Sequence, residues 1–278
     1  MLIKEYRITM PITSAEYYIA QLYMVAKSSQ EETGKEAGEG IEIVRNEAFN
    51  ETSPVNIHKM PPGQYTEKIM HLKSKLPKFV SMLVPDSMTD IVEKSWNSFP
   101  WCKTEYSNAF FGDKFYMSVE TMHADDRGTQ ENAVNLPAEE LAKRKVDYLN
   151  IACEDSSVPM KKGEDPTKFL SVKTGRGHLK RTFMEDHDPI MTCYKVVKLR
   201  FKVFGLQSRV ESWGHLYGIR NPFLEYHRKI FCWIDEWYGM TIADIRAVEE
   251  ETAKITKAKL QQSIKQKPQL NGKIKAVV

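Results

Sequence analysis

The most regular pattern of apolar and polar positions in the chain runs from Pro189 to Gln207, PIMTCYKVVKLRFKVFGLQ. Strict alternation over that length predicts a β-strand. One face carries Cys193, Lys195, Val197, Leu199, Phe201 and Val203; the other carries Thr192, Tyr194, Val196, Lys198, Arg200 and Lys202. The second face is solvated at its far end, so the first is expected to look inward. Alternation predicts further strands over residues 1–10, Ile41–Phe49, Gln64–Lys73, a run after Pro100, its hairpin partner Lys114–His123, and a stretch near Val146–Cys153. Thr66, Lys68, Met70 and Leu72 share a face of the third of these. Cys102, Thr104 and Tyr106 share a face after Pro100, and Phe115, Met117, Val119 and Thr121 share one on the hairpin partner.

Helical spacing and end signals account for most of the remainder. Thr13-x-x-Glu16 is a capping box that opens a helix to about Ser29, with Tyr18, Leu22, Val25 and Ala26 as its apolar stripe and Gln21 on or beside it. Further helices are expected at Pro137–Lys145, at Leu206–Gly218, and from Asn221-Pro222 to about Tyr238. Thr241-x-x-Asp244 caps the last one, whose inner stripe is Ile245, Val248, Thr252 and Ile255, with Glu249 on the same face. Pro268 and Gly272 are expected to break the tail. Glu31–Gly40, Glu51–Gly63 and the long polar stretch Glu154–Asp188 read as loops, the last of a length that is usually functional or disordered. Residues 74–88 hold Phe79, Val80, Met82, Leu83 and Val84 between two prolines, which makes either core or a greasy surface patch. The fold class is α+β: a mostly antiparallel sheet with helices on one face.

Composition changes this picture in two places. No apolar run approaches the roughly 20 residues of a spanning helix, and the charged N-terminus MLIKEYRI reads as a strand rather than a signal peptide. The four cysteines are far apart and form no CxxC, which argues against disulfides or a zinc site and fits a reducing cytoplasm. The net charge of +3 hides an asymmetry. Thr252–Val278 holds seven lysines and no acid, leaving 33 basic against 37 acidic groups elsewhere. Such a tail suits an anionic membrane surface as an occasional partner. A nucleic-acid binder would be basic over its body, and this chain is not.

The candidate chemistry begins with Lys195 on the inward row of the long strand. A buried ammonium needs an anion, supplied either by an internal carboxylate or by a ligand. The inner rows are also interrupted by Gln21, Thr66, Lys68, Thr104, Thr121 and Glu249, on six segments in all. A plain core has no use for so many polar positions, whereas a cavity for an amphiphile does. There is no H-E-x-x-H, no Walker loop in SVKTGRG, no Ser/His/Asp set and no paired carboxylates, so neither metal nor acid–base catalysis is indicated. An enzyme using Lys195 as a nucleophile is the weaker alternative, because no partner base accompanies it. Ser171, near Lys168 and Lys173, is a candidate phosphorylation site.

WNSFPWCKT at 96–104 resembles the phosphatidylinositol transfer proteins. So do LIKEYRI at the start, QLYM at 21–24, GQYTEKI at 63–69, GTQEN at 128–132, SVKTGRG at 171–177, CYKVVKLRFKVFGLQ at 193–207, FCWIDEW at 231–237 and MTIADIRAVEEET at 240–252. The resemblance covers residues 1 to about 255. It implies a helix-grip fold whose concave sheet and long helices enclose one phospholipid, exchanged between membranes without covalent chemistry and without a cofactor. A single domain over 1–262, a basic flexible tail or lid over 263–278 and a monomer are expected. The resemblance assigns the inositol ring to Thr66, Lys68, Asn97 and Glu249, and the phosphate and choline side to Gln21, Cys102, Thr104, Thr121 and Lys195. Glu249 is also expected to balance Lys68. Membrane contact falls to Phe79, Met82, Leu83, Val203 and Phe204, the last two standing where the family is usually Trp-rich. Cys102 is similar to the branch that carries phosphatidylcholine, while QLYM and DEWY look more like the branch that favours phosphatidic acid. A sensor that holds lipid without delivering it needs the same pocket and stays open as a reading.

Overall fold

A computed structural model describes residues 1–34, 39–71, 76–82, 84–85 and 88–274, those from 263 onward by backbone alone. The chain forms β1 (Leu2–Met10), α1 (Ser14–Glu32), β2 (Gly40–Phe49), β3 (Gly63–His71), a single turn α2 (Lys78–Ser81), β4 (Ile91–Ser98), β5 (Trp101–Ser107), β6 (Phe115–Ala124), α3 (Ala138–Lys143) and β7 (Lys145–Leu149). There follow α4 (Phe183–Asp186), β8 (Met191–Phe201), α5 (Gln207–Trp213), a π-helical segment (Gly214–Arg220), α6 (Asn221–Cys232), α7 (Ile234–Trp237) and α8 (Ile242–Ile274). The eight strands make one sheet in the order β2-β3-β4-β5-β6-β8-β1-β7. Every pair is antiparallel except β1 with β7. This is the expected α+β helix-grip architecture.

α1, α5, α6 and α8 lie across one face, and α3 lies on the other, where Leu141 packs beside Ile3 and Val196. α8 rests on β2 and α1, α6 rests on β1 and α1, and α5 rests on β8. They form an arch over the middle strands. Where the arch comes down, the core is dense: Tyr6, Ile8, Cys193 and Val197 from the sheet pack with Tyr17, Ala20 and Met24 of α1 and Leu224 and Ile230 of α6. Over β3, β4 and β5 the same face remains only half-buried at Thr66, Lys68, Ser95, Asn97, Cys102, Thr104 and Tyr106. The long strand is covered on both sides. Val196 joins Ile3, Val134 and Leu136 in a second core beneath the 125–143 segment. Lys198 and Arg200 are half-buried, and only Lys202, at the far end, is exposed.

Several local expectations are corrected. The buried residues of α1 are Tyr17, Ala20, Met24, Ala26, Ser28 and Ser29, so Ala26 of the expected stripe is buried while Val25 is exposed. The helix expected over Leu206–Gly218 gives way at Gly214 to the π-helical segment. Gly214 is pressed so close to β8 that a Cβ there would stand 2.8 Å from Leu199 Cδ2. The helix expected to reach Tyr238 is broken at Trp233 into α6 and α7. β7 stops at Leu149, four residues short of the expected strand end, because Ile151–Cys153 turn away. The Glu154–Asp188 stretch is ordered rather than loose. Arg228 of α6 donates to the carbonyls of Ile151, Cys153 and Val158, and Leu179 and Phe183 enter the main core. Finally, α8 runs through Pro268 and Gly272 to Ile274; a proline removes one backbone bond and bends a helix without obliging it to end.

Candidate functional site

Residues directly opposite in an antiparallel ladder share a face. The registers therefore give three rows across the face beneath the arch. The first is Gln64, Asn97, Cys102, Thr121, Lys195, Tyr6. The second, two residues nearer the open end, is Thr66, Ser95, Thr104, Val119, Val197, and the third is Lys68, Glu93, Tyr106, Met117, Leu199. From Asn97 to Lys195 is three strand steps, roughly 14 Å of sheet. Alternation thus gathers Thr66, Lys68, Asn97, Cys102, Thr104, Thr121 and Lys195 on one surface, with Gln21 above them on α1.

Lys195 lies with its Nζ 5.3 Å from the centroid of Phe223 in α6, a cation–π contact. No hydrogen bond or ion pair links it to any other described residue, so its charge has no internal counterion there. Around it stand Cys102, Cys193, His123 and His227, each of which feels its field. Burial pushes the Cys102 thiol up and the Cys193 thiol to about 11, with Lys195 pulling the other way. Burial first and Lys195 second hold both histidines down to about 3. They are neutral. His123 Nδ1 donates to the Pro100 carbonyl at 2.8 Å and His227 Nδ1 to that of Phe223 at 2.6 Å. Tyr17 then donates to His227 Nε2 at 3.0 Å.

Three buried polar atoms here have no partner among the described residues: Gln21 Nε2, Asn97 Oδ1 and His123 Nε2. Such groups cost about 1–3 kcal/mol each when left unsatisfied. One cation, one amide donor and two acceptors on a half-buried face suit an anionic headgroup that also carries hydroxyls. Gly63 helps to set Asn97, since a Cβ there would fall 2.2 Å from the Asn97 carbonyl oxygen.

One expected pairing differs. Lys68 is balanced by Glu93 at 3.1 Å, not by Glu249. Glu249 instead accepts from Arg246 at 2.6 Å and from Asn46 at 3.4 Å, and Gln64 donates to Asn46 at 2.7 Å, so it reaches the edge of the second row through β2. The cause is register: Glu93 stands directly opposite Lys68. The sequence reading also passed over Glu93, Ser95, His123, His227 and Tyr17. Alternation along Glu93, Ser95 and Asn97 carries the signal for the first two; Ser95 bonds Thr104 at 3.0 Å. The histidines give no comparable signal.

Ser171 is buried, and its hydroxyl donates to Asp235 at 2.5 Å, whose carboxylate also accepts from Val172 N and Lys173 N. A modifying enzyme reaches it only if this loop leaves α7. Met82 and Phe204 are exposed, while Phe79 and Val203 are half-buried in a third small core. Leu83 lies outside the described residues. Among those residues no group of three or more His, Cys, Asp or Glu gathers as a metal site, and no helix is long and apolar enough to cross a membrane.

Residues 1–254 match the family described as phosphatidylinositol transfer protein. The chain is 49% identical over 264 residues to phosphatidylinositol transfer protein 2 of Dictyostelium discoideum, covering 95% of this chain and 98% of that protein. It is 42% identical to phosphatidylinositol transfer protein 1 of the same organism, over 94% and 97% of the two chains. It is 43% identical to cytoplasmic phosphatidylinositol transfer protein 1 of Xenopus tropicalis, over 94% and 76%.

Proposed function

The chain belongs to the phosphatidylinositol transfer protein family, and from that membership we propose that it carries one phospholipid at a time between membranes. The family is one of lipid carriers rather than enzymes. The cargo is phosphatidylinositol or phosphatidylcholine, with phosphatidic acid the alternative second lipid. Lys195, with Gln21, Thr104 and Thr121, receives the phosphate, and Cys102 lies beside the choline. Thr66, Lys68 and Asn97 read the inositol ring, with Glu249 joining from α8. The observation that carries this reading is the absence of an internal counterion for Lys195 among the described residues, on a face where Asn97 Oδ1 and His123 Nε2, with Gln21 Nε2 from α1, also lack partners among those residues.

The driving force follows from area. A lipid leaving a bilayer alone exposes about thirty methylenes, on the order of 25 kcal/mol, and an apolar enclosure removes most of that. Exchange therefore takes place at the membrane, where the arch opens against lipid rather than water. Residues 1–262 act as the carrier and 263–278 as its basic lid, in a monomer that works in the cytoplasm and visits membrane surfaces. Native mass spectrometry of freshly purified protein tests the proposal. We expect one phospholipid per chain, and Lys195→Ala to lose most of that load while still folding. A folded wild-type chain that carries no lipid refutes it.

A further inference from the structure

The connections β3–β4, β5–β6 and β8–α5 all emerge at one end of the sheet, beside the third row of the candidate site. Each presents an apolar side chain to solvent: Met82 at 85% exposure, Phe110 at 43% and Phe204 at 105%. Single exposed apolar residues are ordinary, but these three stand on one shared support. Phe79, Phe111, Val203 and Leu206 pack there with Val80, Phe201 and Val210. Phe111 meets Phe201 edge-on at 4.9 Å and Phe110 at 5.1 Å. The β5–β6 turn is also tied to the neighbouring connection through buried Asn108. Its amide donates to the carbonyls of Met88 and Asp90 at 2.9 Å, and its oxygen accepts from Phe110 N and Phe111 N at 3.1 Å.

Exposed cations ring this apolar tip. Lys78, Lys114, Lys202 and Arg209 are all exposed. Lys202 N donates to the Lys114 carbonyl at 2.7 Å, and the Arg209 guanidinium lies 4.6 Å over the Phe79 ring. Among the described residues at this end, Asp113 is exposed, Asp90 is held by His71 at 2.8 Å, and buried Glu211 accepts from Phe201 N at 3.0 Å. An apolar tip with a cationic collar fits the boundary of an anionic bilayer, where rings enter the acyl region and ammonium groups meet headgroups.

We infer that the β5–β6 turn is a membrane-inserting element in its own right: Phe110, backed by Phe111, enters anionic bilayers, and Lys114 and Lys202 bind the headgroups around it. This extends the carrier reading and rests on it for the purpose of docking, not for the geometry. The test is partitioning of the full chain onto phosphatidylcholine vesicles with and without phosphatidylserine. Phe110→Ser should weaken partitioning to both about tenfold, like Phe204→Ser, while Val172→Ser, an exposed apolar site on the loop bound by Asp235, should change nothing. Lys114→Glu with Lys202→Glu should lose about tenfold on the anionic vesicles only. Phe110→Trp should bind more tightly, since Trp favours the interface, and it decides the matter if the serine variant misfolds. Unchanged binding of folded Phe110→Ser beside a weakened Phe204→Ser overturns the inference, as does equal loss in Val172→Ser. A self-associating wild type that Phe110→Ser renders monomeric overturns it too, by assigning the tip to a second copy. Lipid load measured on the same samples separates the two readings: vesicle binding that depends on Phe110 in a chain without cargo sinks the carrier proposal alone.

Discussion

Lys68 and Glu93 form a largely buried pair on the third row, and the pairing makes a single substitution ambiguous. Lys68→Ala strands a carboxylate, a cost of about 1–3 kcal/mol, besides removing the proposed inositol contact. Glu93→Gln in the same chain should restore the stability. Transfer of phosphatidylinositol should stay down at least tenfold while phosphatidylcholine transfer stays near wild type. Equal loss of both lipids in a vesicle assay would refute the headgroup assignment. The neutral histidines lead to a second expectation. Their folded pKa values, about 3, lie below the ordinary 6.5, so between those limits the unfolded chain binds protons that the native chain refuses. Their contribution is complete above pH 6.5 and is lost as pH falls toward 3, by up to about 1.4 kcal/mol per pH unit for each. Urea midpoints from pH 7 to pH 4 should show it, with a shallower slope in His227→Gln, which retains an acceptor for Tyr17. At this scale the sequence made Lys195, Thr121, Thr104 and Cys102 visible, because strand parity alone decides which side they take. It hid His123 and His227, because their neutrality comes from packing and from a lysine remote in the chain.

Seven of the eight strands were legible because a buried face and a period of two leave little freedom in register, whereas β4 (Ile91–Ser98) was not expected as a strand. The helix boundaries were less so. α1 buries Tyr17, Ala20 and Met24 in place of Tyr18, Leu22 and Val25 of the expected stripe while keeping Ala26 buried, and the expected Leu206–Gly218 helix passes into π-helical geometry where Gly214 meets β8; both outcomes depend on the neighbour, which no local periodicity contains. Asn108 is the clearest case of an element held by one side chain. Four backbone groups from two connections converge on its amide. At about 1 kcal/mol net for each bond, less what water recovers, Asn108→Ala should cost roughly 2–3 kcal/mol in a urea titration. A loss under half a kcal/mol would show that the two connections hold their shape independently.

For the whole chain, the fold class and the gathering of polar residues on one face could be read from the sequence, because the polar interruptions recur across segments that only a sheet brings together. The basic C-terminal stretch was legible as charge but not as structure, since α8 passes residues that usually stop a helix. Deleting residues after Gln262 removes four of the seven tail lysines. It should lengthen residence on vesicles if the segment closes the carrier and shorten residence if it only attracts anionic lipid; light scattering during exchange distinguishes these, and no change removes the segment from the mechanism. The coverage of β8 is uneven with that of β2. Val196 and Val197 are sealed on opposite sides of one strand, whereas most of β2 faces water. The wall bearing Lys195 is thus clamped from both sides, while β2 at the far margin is held mainly by its neighbour β3 and by α8; if the carrier reading holds, amide exchange should be faster along β2 than along β8.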